Sequence, residues 1–209
     1  MSEFTSGCLT LVKYKEWLTE LSPTYMTELN DEWLVFITKD TFVDEDIPDS
    51  LYEISNKFPV MYFYNFEDHC WGYSIVSNSQ EVANVHVSYE LEYTMLMSLA
   101  EERYPEEDPN EFLYDDVNGS KIRENLEEEL QNSKQYKELI NQQFLNCNVD
   151  SFKLFGISDE QINELVGILT SDYLMQLESD HQLVEEFKEI LHIQEMSWIR
   201  SDRIDELED

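Results

Sequence analysis

Residues 59–89 constrain the fold more than any other part of the chain. Val60-Met61-Tyr62-Phe63-Tyr64 is apolar at consecutive positions, the pattern of a strand covered on both faces. Phe66-Glu67-Asp68-His69 reads as a connection. Cys70 to Ser77 and Glu81 to Tyr89 then alternate as the arms of a hairpin around Asn78-Ser79-Gln80. Pairing Trp71 with Tyr89, Tyr73 with Val87 and Ile75 with Val85 collects the large apolar side chains on one face. Gly72, Ser74, His86 and Ser88 fall on the other. A slip of one residue would set Trp71 against Ser88 and Tyr73 against His86. The first register is expected to win, because each large side chain that it buries contributes about 1.5–3 kcal/mol.

The segments before the hairpin carry mixed signals. Tyr14, Trp17, Leu18 and Leu21 recur at helical spacing, so a short helix is predicted over 9–21, ending before Pro23. Trp33-Leu34-Val35-Phe36-Ile37-Thr38 is β-branched and aromatic and reads as a strand. Asp44-Glu45-Asp46-Ile47-Pro48 opens a helix running to about Lys57, with acids and a proline at its start. After the hairpin, Ser88 is a candidate cap for a helix over 89–104, rich in strong helix formers.

Pro105-Glu106-Glu107-Asp108-Pro109-Asn110 breaks the pattern. Beyond it, Ile122, Leu126, Leu130, Tyr136, Leu139, Ile140 and Phe144 mark one face of a long helix. Ser158-Asp159-Glu160-Gln161 is a capping box, with Ile157 and Ile162 as its staple. Leu183, Val184, Phe187, Ile190 and Leu191 mark another amphipathic helix, and from Arg200 the tail is polar. The expected fold class is therefore α+β: a small, mostly antiparallel sheet with packed helices, then a mostly helical C-terminal part. The expected division is an α+β unit over 1–105, an acidic loop over 106–119 and a helical region over 120–209.

Charge limits what such a chain can bind. Lysines and arginines number 13 against 46 aspartates and glutamates, a net charge of −33. The excess is spread along the chain, with 5 basic and 19 acidic residues in 1–105 and 8 and 27 in 106–209. Phosphate backbones and anionic lipid are repelled by such a surface, so neither direct nucleic-acid binding nor membrane binding is expected. A basic protein is attracted and steered. The sequence itself dictates no oligomeric state.

Cys8, Cys70 and Cys147 are odd in number and far apart, which fits reduced thiols and, with the absence of a basic leader or a long apolar run, a cytoplasmic location. No CxxC, GxGxxG, Walker loop, GxSxG or HExxH is present. Asp116-x-Asn118-Gly119 has the spacing of the middle of an EF-hand loop, but Tyr114 and Asn125 stand where carboxylates are required. The acidic stretches 44–49 and 106–116 offer no more than weak calcium binding.

The only local mixture of acid, base and nucleophile is Glu67-Asp68-His69-Cys70 with His86 on the facing strand. Glu67, Asp68, His69, Trp71 and His86 are the candidate binding residues. Neither a cofactor nor a metal site is expected, because His69 and His86 need not converge. Tyr62, Phe63, Tyr64, Phe66, Trp71 and Tyr73 form an aromatic cluster that is either sheet core or, in part, an outward anchor for a partner. The functional expectation is a non-catalytic acidic protein that engages a basic protein, in the manner of an immunity protein, antitoxin or inhibitor, with DNA mimicry as a special case. The alternative is a small enzyme or ligand binder with its site near Glu67, His69, Cys70 and His86.

Overall fold

The structure, a computed structural model, describes residues 3–114, 119–179 and 181–204. The EF-hand-like positions Asp116 and Asn118 lie outside the described residues. Six strands form one antiparallel sheet: β1 (Phe4–Leu11), β2 (Tyr25–Glu28), β3 (Trp33–Ile37), β4 (Val60–Phe66), β5 (Cys70–Ser77) and β6 (Gln80–Ser88). Their spatial order is β2-β3-β1-β4-β5-β6. Helices pack on both faces, so the α+β class is as expected.

β1 overturns the helix expected over 9–21. It lies inside the sheet, paired with β3 through Leu9↔Val35 and with β4 through Gly7↔Phe63. A strand buried on both sides loses polar alternation, and Thr5, Ser6, Gly7 and Cys8 are small enough to sit beneath layers on either face. Only after Leu11 does the chain turn helical, in α1 (Lys15–Glu20).

The hairpin keeps its predicted faces but not its predicted pairs. Trp71 lies opposite Val87, Tyr73 opposite Val85 and Ile75 opposite Ala83, two residues from the expected register. The loop is the two-residue turn Asn78-Ser79, both with positive φ (52° and 58°). Such a turn follows the right-handed twist of the strands better than a three-residue loop, and an irregularity at Ile75/Val76 absorbs the odd residue.

One face of the sheet presents Cys8, Leu34, Phe36, Tyr62, Tyr64 and Val76 to Leu18 of α1 and to Leu51 and Ile54 of α2 (Asp49–Ile54). The opposite face carries Leu9, Trp33, Val35, Phe63, Trp71, Tyr73 and Val85. It is covered by the later elements: α3 (Leu91–Arg103), α4 (Pro109–Phe112), α5 (Gly119–Asn132), α6 (Lys134–Gln142), a 3-10 stretch (Val149–Phe155), α7 (Asp159–Ile168), α8 (Ser171–Leu174) and α9 (His181–Leu191).

Local rules explain these boundaries. Ser133 caps α6 by accepting from the Tyr136 amide, so the long helix expected over 120–144 is two helices. Ser158 and Gln161 close the expected capping box of α7. Ser88 is not the cap of α3: it ends β6, and its amide donates to Gln143 Oε1 at 2.8 Å.

The second half is built onto the sheet by direct contacts. Phe187 of α9 stacks on Tyr73 at 5.1 Å and on Phe63 at 6.1 Å between centroids. Trp33 Nε1 donates to the Leu191 carbonyl at 2.8 Å, and the Tyr73 hydroxyl donates to that of Cys147 at 2.7 Å. Buried Lys188 is held by Glu185 at 2.5 Å and Glu3 at 3.8 Å, tying α9 to the start of β1. No helix among the described residues is long and apolar enough to cross a membrane.

Candidate functional site

The sheet brings Tyr64, Gly72 and His86 into line across three neighbouring strands. Their side chains share the α2 face, because residues paired across antiparallel strands point the same way. Glycine at 72 is required by the neighbours: a Cβ there would collide with the Val85 carbonyl and the Tyr64 hydroxyl. With that space open, the Tyr64 hydroxyl reaches over β5 to His86 Nδ1 at 2.8 Å.

A loop supplies the remaining group. Buried Tyr62 donates its hydroxyl to the carbonyls of Asp44 at 2.8 Å and Phe42 at 3.2 Å, pinning the segment that leads into α2. Farther back, Asp40 accepts from Thr38 Oγ1, Ser50 N and Ser50 Oγ at 2.7–2.8 Å. Burial works to raise the Asp40 carboxyl, but these hydrogen bonds outweigh it and hold the pKa below the usual value. The pinned loop lays Glu45 over the end of the sheet, where Glu45 Oε1 accepts from Cys70 Sγ at 3.3 Å and Glu45 Oε2 lies 3.5 Å from His86 Nδ1.

One ligand atom from each of Glu45, Cys70 and His86 therefore lies within 4.8 Å of the other two. Cys70 is buried, whereas the Glu45 and His86 side chains are about half exposed, at 53% and 45%. Burial first, and then the Glu45 carboxylate, push the Cys70 thiol pKa well above its ordinary value. A thiol kept protonated in this way is a poor nucleophile.

The other candidates from the sequence go elsewhere. Glu67 Oε2 accepts from the Glu3 amide at 2.5 Å and so anchors the start of β1. His69 Nδ1 meets Glu90 at 3.0 Å, and Asp68 is exposed on the connecting turn. Trp71 is wholly buried on the opposite face, against Phe187. Of Glu67, His69, Cys70 and His86, only Cys70 and His86 meet. A cleft of 470 Å³ opens at Leu18, Pro23, Asp40, Ser50 and Lys57, and it includes none of those four. Sequence puts Glu45 in an acidic stretch expected to open a helix, whereas α2 begins only at Asp49 and Glu45 lies in the loop before it. Its meeting with strands 25 and 41 residues downstream leaves no local signal.

The aromatic cluster resolves as core: Tyr62, Phe63, Tyr64, Phe66, Trp71 and Tyr73 are all buried. Exposed aromatics lie on both sides of the sheet: Phe42 and Trp17 are 62% and 52% exposed, and in the opposite layer Tyr93 of α3 and Tyr114 are 47% and 52% exposed. The Tyr93 hydroxyl donates to Asn110 Oδ1 at 2.8 Å, and the Arg123 guanidinium lies 5.4 Å from the Tyr114 ring centre. Glu101, Glu102, Glu106, Glu107, Asp108, Glu111, Glu124, Glu128 and Glu129 are exposed in the same layer of α3, α4 and α5. Its cations are partly neutralised from within: Arg103 pairs with Glu129, and Arg123 with Glu127 at 3.4 Å.

Comparison of the chain with protein-family models, with curated proteins and with solved structures gave no match.

Proposed function

We propose that the protein is a non-catalytic acidic binding protein that receives a basic protein on the layer formed by α3, α4 and α5. The observation that carries this reading is the run of exposed carboxylates across three packed elements, interrupted by exposed Tyr93 and Tyr114. Carboxylates on such a surface attract a cationic partner over about one Debye length and raise its rate of encounter. Tyrosines supply flat area that anchors a partner at little entropic cost. Arg103 and Arg123 already hold carboxylates of their own chain, which leaves the surplus charge negative. Blocking a nucleic-acid-binding protein, as an immunity protein, antitoxin or inhibitor does, is a use suited to this charge. Carboxylates standing in for DNA phosphates are a special case of it.

The test is capture from a lysate of the source cells at low and at high salt. It is run with the native chain and with a variant in which Glu101, Glu102, Glu124 and Glu128 are replaced by glutamine. A basic protein is expected on the native chain at low salt, lost at high salt and lost from the variant. Capture that ignores both salt and the substitutions, or no basic protein at all, overturns the reading.

A further inference from the structure

The geometry points to a zinc-class cation site made by Glu45, Cys70 and His86, with water completing four ligands beside the Tyr64 hydroxyl. It stands apart from the acidic layer of α3–α5 and does not rest on the proposed function. Thiolate, imidazole and carboxylate together are the donor set of a borderline-soft divalent ion, and hard ions such as calcium or magnesium have little use for sulfur.

The spacing fits. Tetrahedral zinc with ordinary Zn–S, Zn–N and Zn–O lengths separates its ligand atoms by about 3.4–3.6 Å. Cys70 Sγ lies 3.3 Å from Glu45 Oε1 and His86 Nδ1 lies 3.5 Å from the other oxygen of the same carboxylate, with one ligand atom of each residue within 4.8 Å of the other two. Bringing the three ligand atoms to zinc spacing takes a turn of the half-exposed Glu45 carboxylate and a closing of separations that are at most 4.8 Å. Two ligands come from paired strands of a rigid sheet, with Cys70 and His86 held in register by Gly72. The third comes from a loop pinned through Tyr62. Exposure of Glu45 and His86 leaves an entry path.

On binding, His86 Nδ1 gives its lone pair to the metal, and the Tyr64 hydroxyl, 2.8 Å from that nitrogen, turns to the bound water. Cys70 gives up its proton to solvent as sulfur takes its place on the metal, so binding releases a proton. The ion would clamp the loop that leads into α2 to the end of β5 and β6.

The test uses the full chain, freed of metal with a chelator. Cobalt(II) is titrated first as a spectroscopic stand-in, and zinc is then titrated calorimetrically. One equivalent is expected, with a thiolate-to-cobalt charge-transfer band and the intense visible bands of a tetrahedral ion. Zinc should raise the thermal midpoint, because it binds the folded state alone. Cys70→Ser should abolish the charge-transfer band, and His86→Ala should weaken zinc binding by at least tenfold. Cys147→Ser, outside the cluster, should change neither. Should Cys70→Ser fail to fold, Glu45→Gln on the exposed loop provides the same test through a tenfold loss of affinity. Binding of several weak equivalents indifferent to these substitutions, or a charge-transfer band that survives loss of Cys70, overturns the site.

Discussion

Tyr64 reaches His86 only because position 72 has no Cβ. Gly72→Ala is therefore expected to destabilise the chain by about 1–3 kcal/mol, the usual cost of overpacking. Gly167, inside α7, has open space around its Cα, so Gly167→Ala should stabilise by about 0.5–1 kcal/mol through backbone entropy. Urea denaturation of both variants checks the pair, and equal effects would contradict the packing described at Gly72. Sequence made part of this site legible. Alternation in the hairpin put Gly72 and His86 on one face, and the sheet agrees. What it hid was Glu45, because a loop pinned by a tyrosine from another strand leaves no periodicity. The pairs themselves were also hidden: with Ile75 opposite Val85 the loop would have to span five residues, 78–82, whereas the Asn78-Ser79 turn with its irregularity draws every partner two positions closer and leaves both faces unchanged.

At the scale of elements, what sequence made legible is what carries a local signal. Ser158-Asp159-Glu160-Gln161 announced α7, and the Leu183–Leu191 stripe announced α9, because caps and period are local. β1 was missed for the opposite reason. An interior strand owes its conformation to partners on both sides, and Phe4-Thr5-Ser6-Gly7-Cys8 has no pattern of its own. Phe187 joins α9 to the sheet and to the 3-10 stretch, meeting Phe63, Trp71, Tyr73 and Phe152. Phe187→Ala is expected to cost about 3–5 kcal/mol, as for a buried phenylalanine removed from a packed core. Since that ring joins α9 to the sheet, helical circular dichroism and tryptophan fluorescence should be lost in one coincident transition with urea. Separate transitions would show that the C-terminal helices fold apart from the sheet.

Over the whole molecule, the surface is set by a charge of −33, which pairing within the chain leaves unchanged. Some of the exposed cations pair with carboxylates of the same chain, as Lys15 does with Glu28 and Lys134 with Glu138. Pairs of this kind contribute little stability, but they occupy part of the small positive charge that a polyanion would need. Composition alone made the sign of the field legible. The position of the exposed tyrosines was not, because Tyr93 and Tyr114 look no different in sequence from the tyrosines that the sheet buries. The most direct measurement is fluorescence anisotropy of two labelled probes, a Lys/Arg-rich polypeptide and a DNA duplex. Both are titrated with the protein, in the presence of chelator, between about 50 and 200 mM salt, the range over which electrostatic binding changes steeply. The polypeptide should bind at the low end and weaken steeply with salt, while the duplex stays free throughout. Binding of the duplex, or a polypeptide affinity that does not move with salt, would contradict an electrostatic origin for whatever the protein binds.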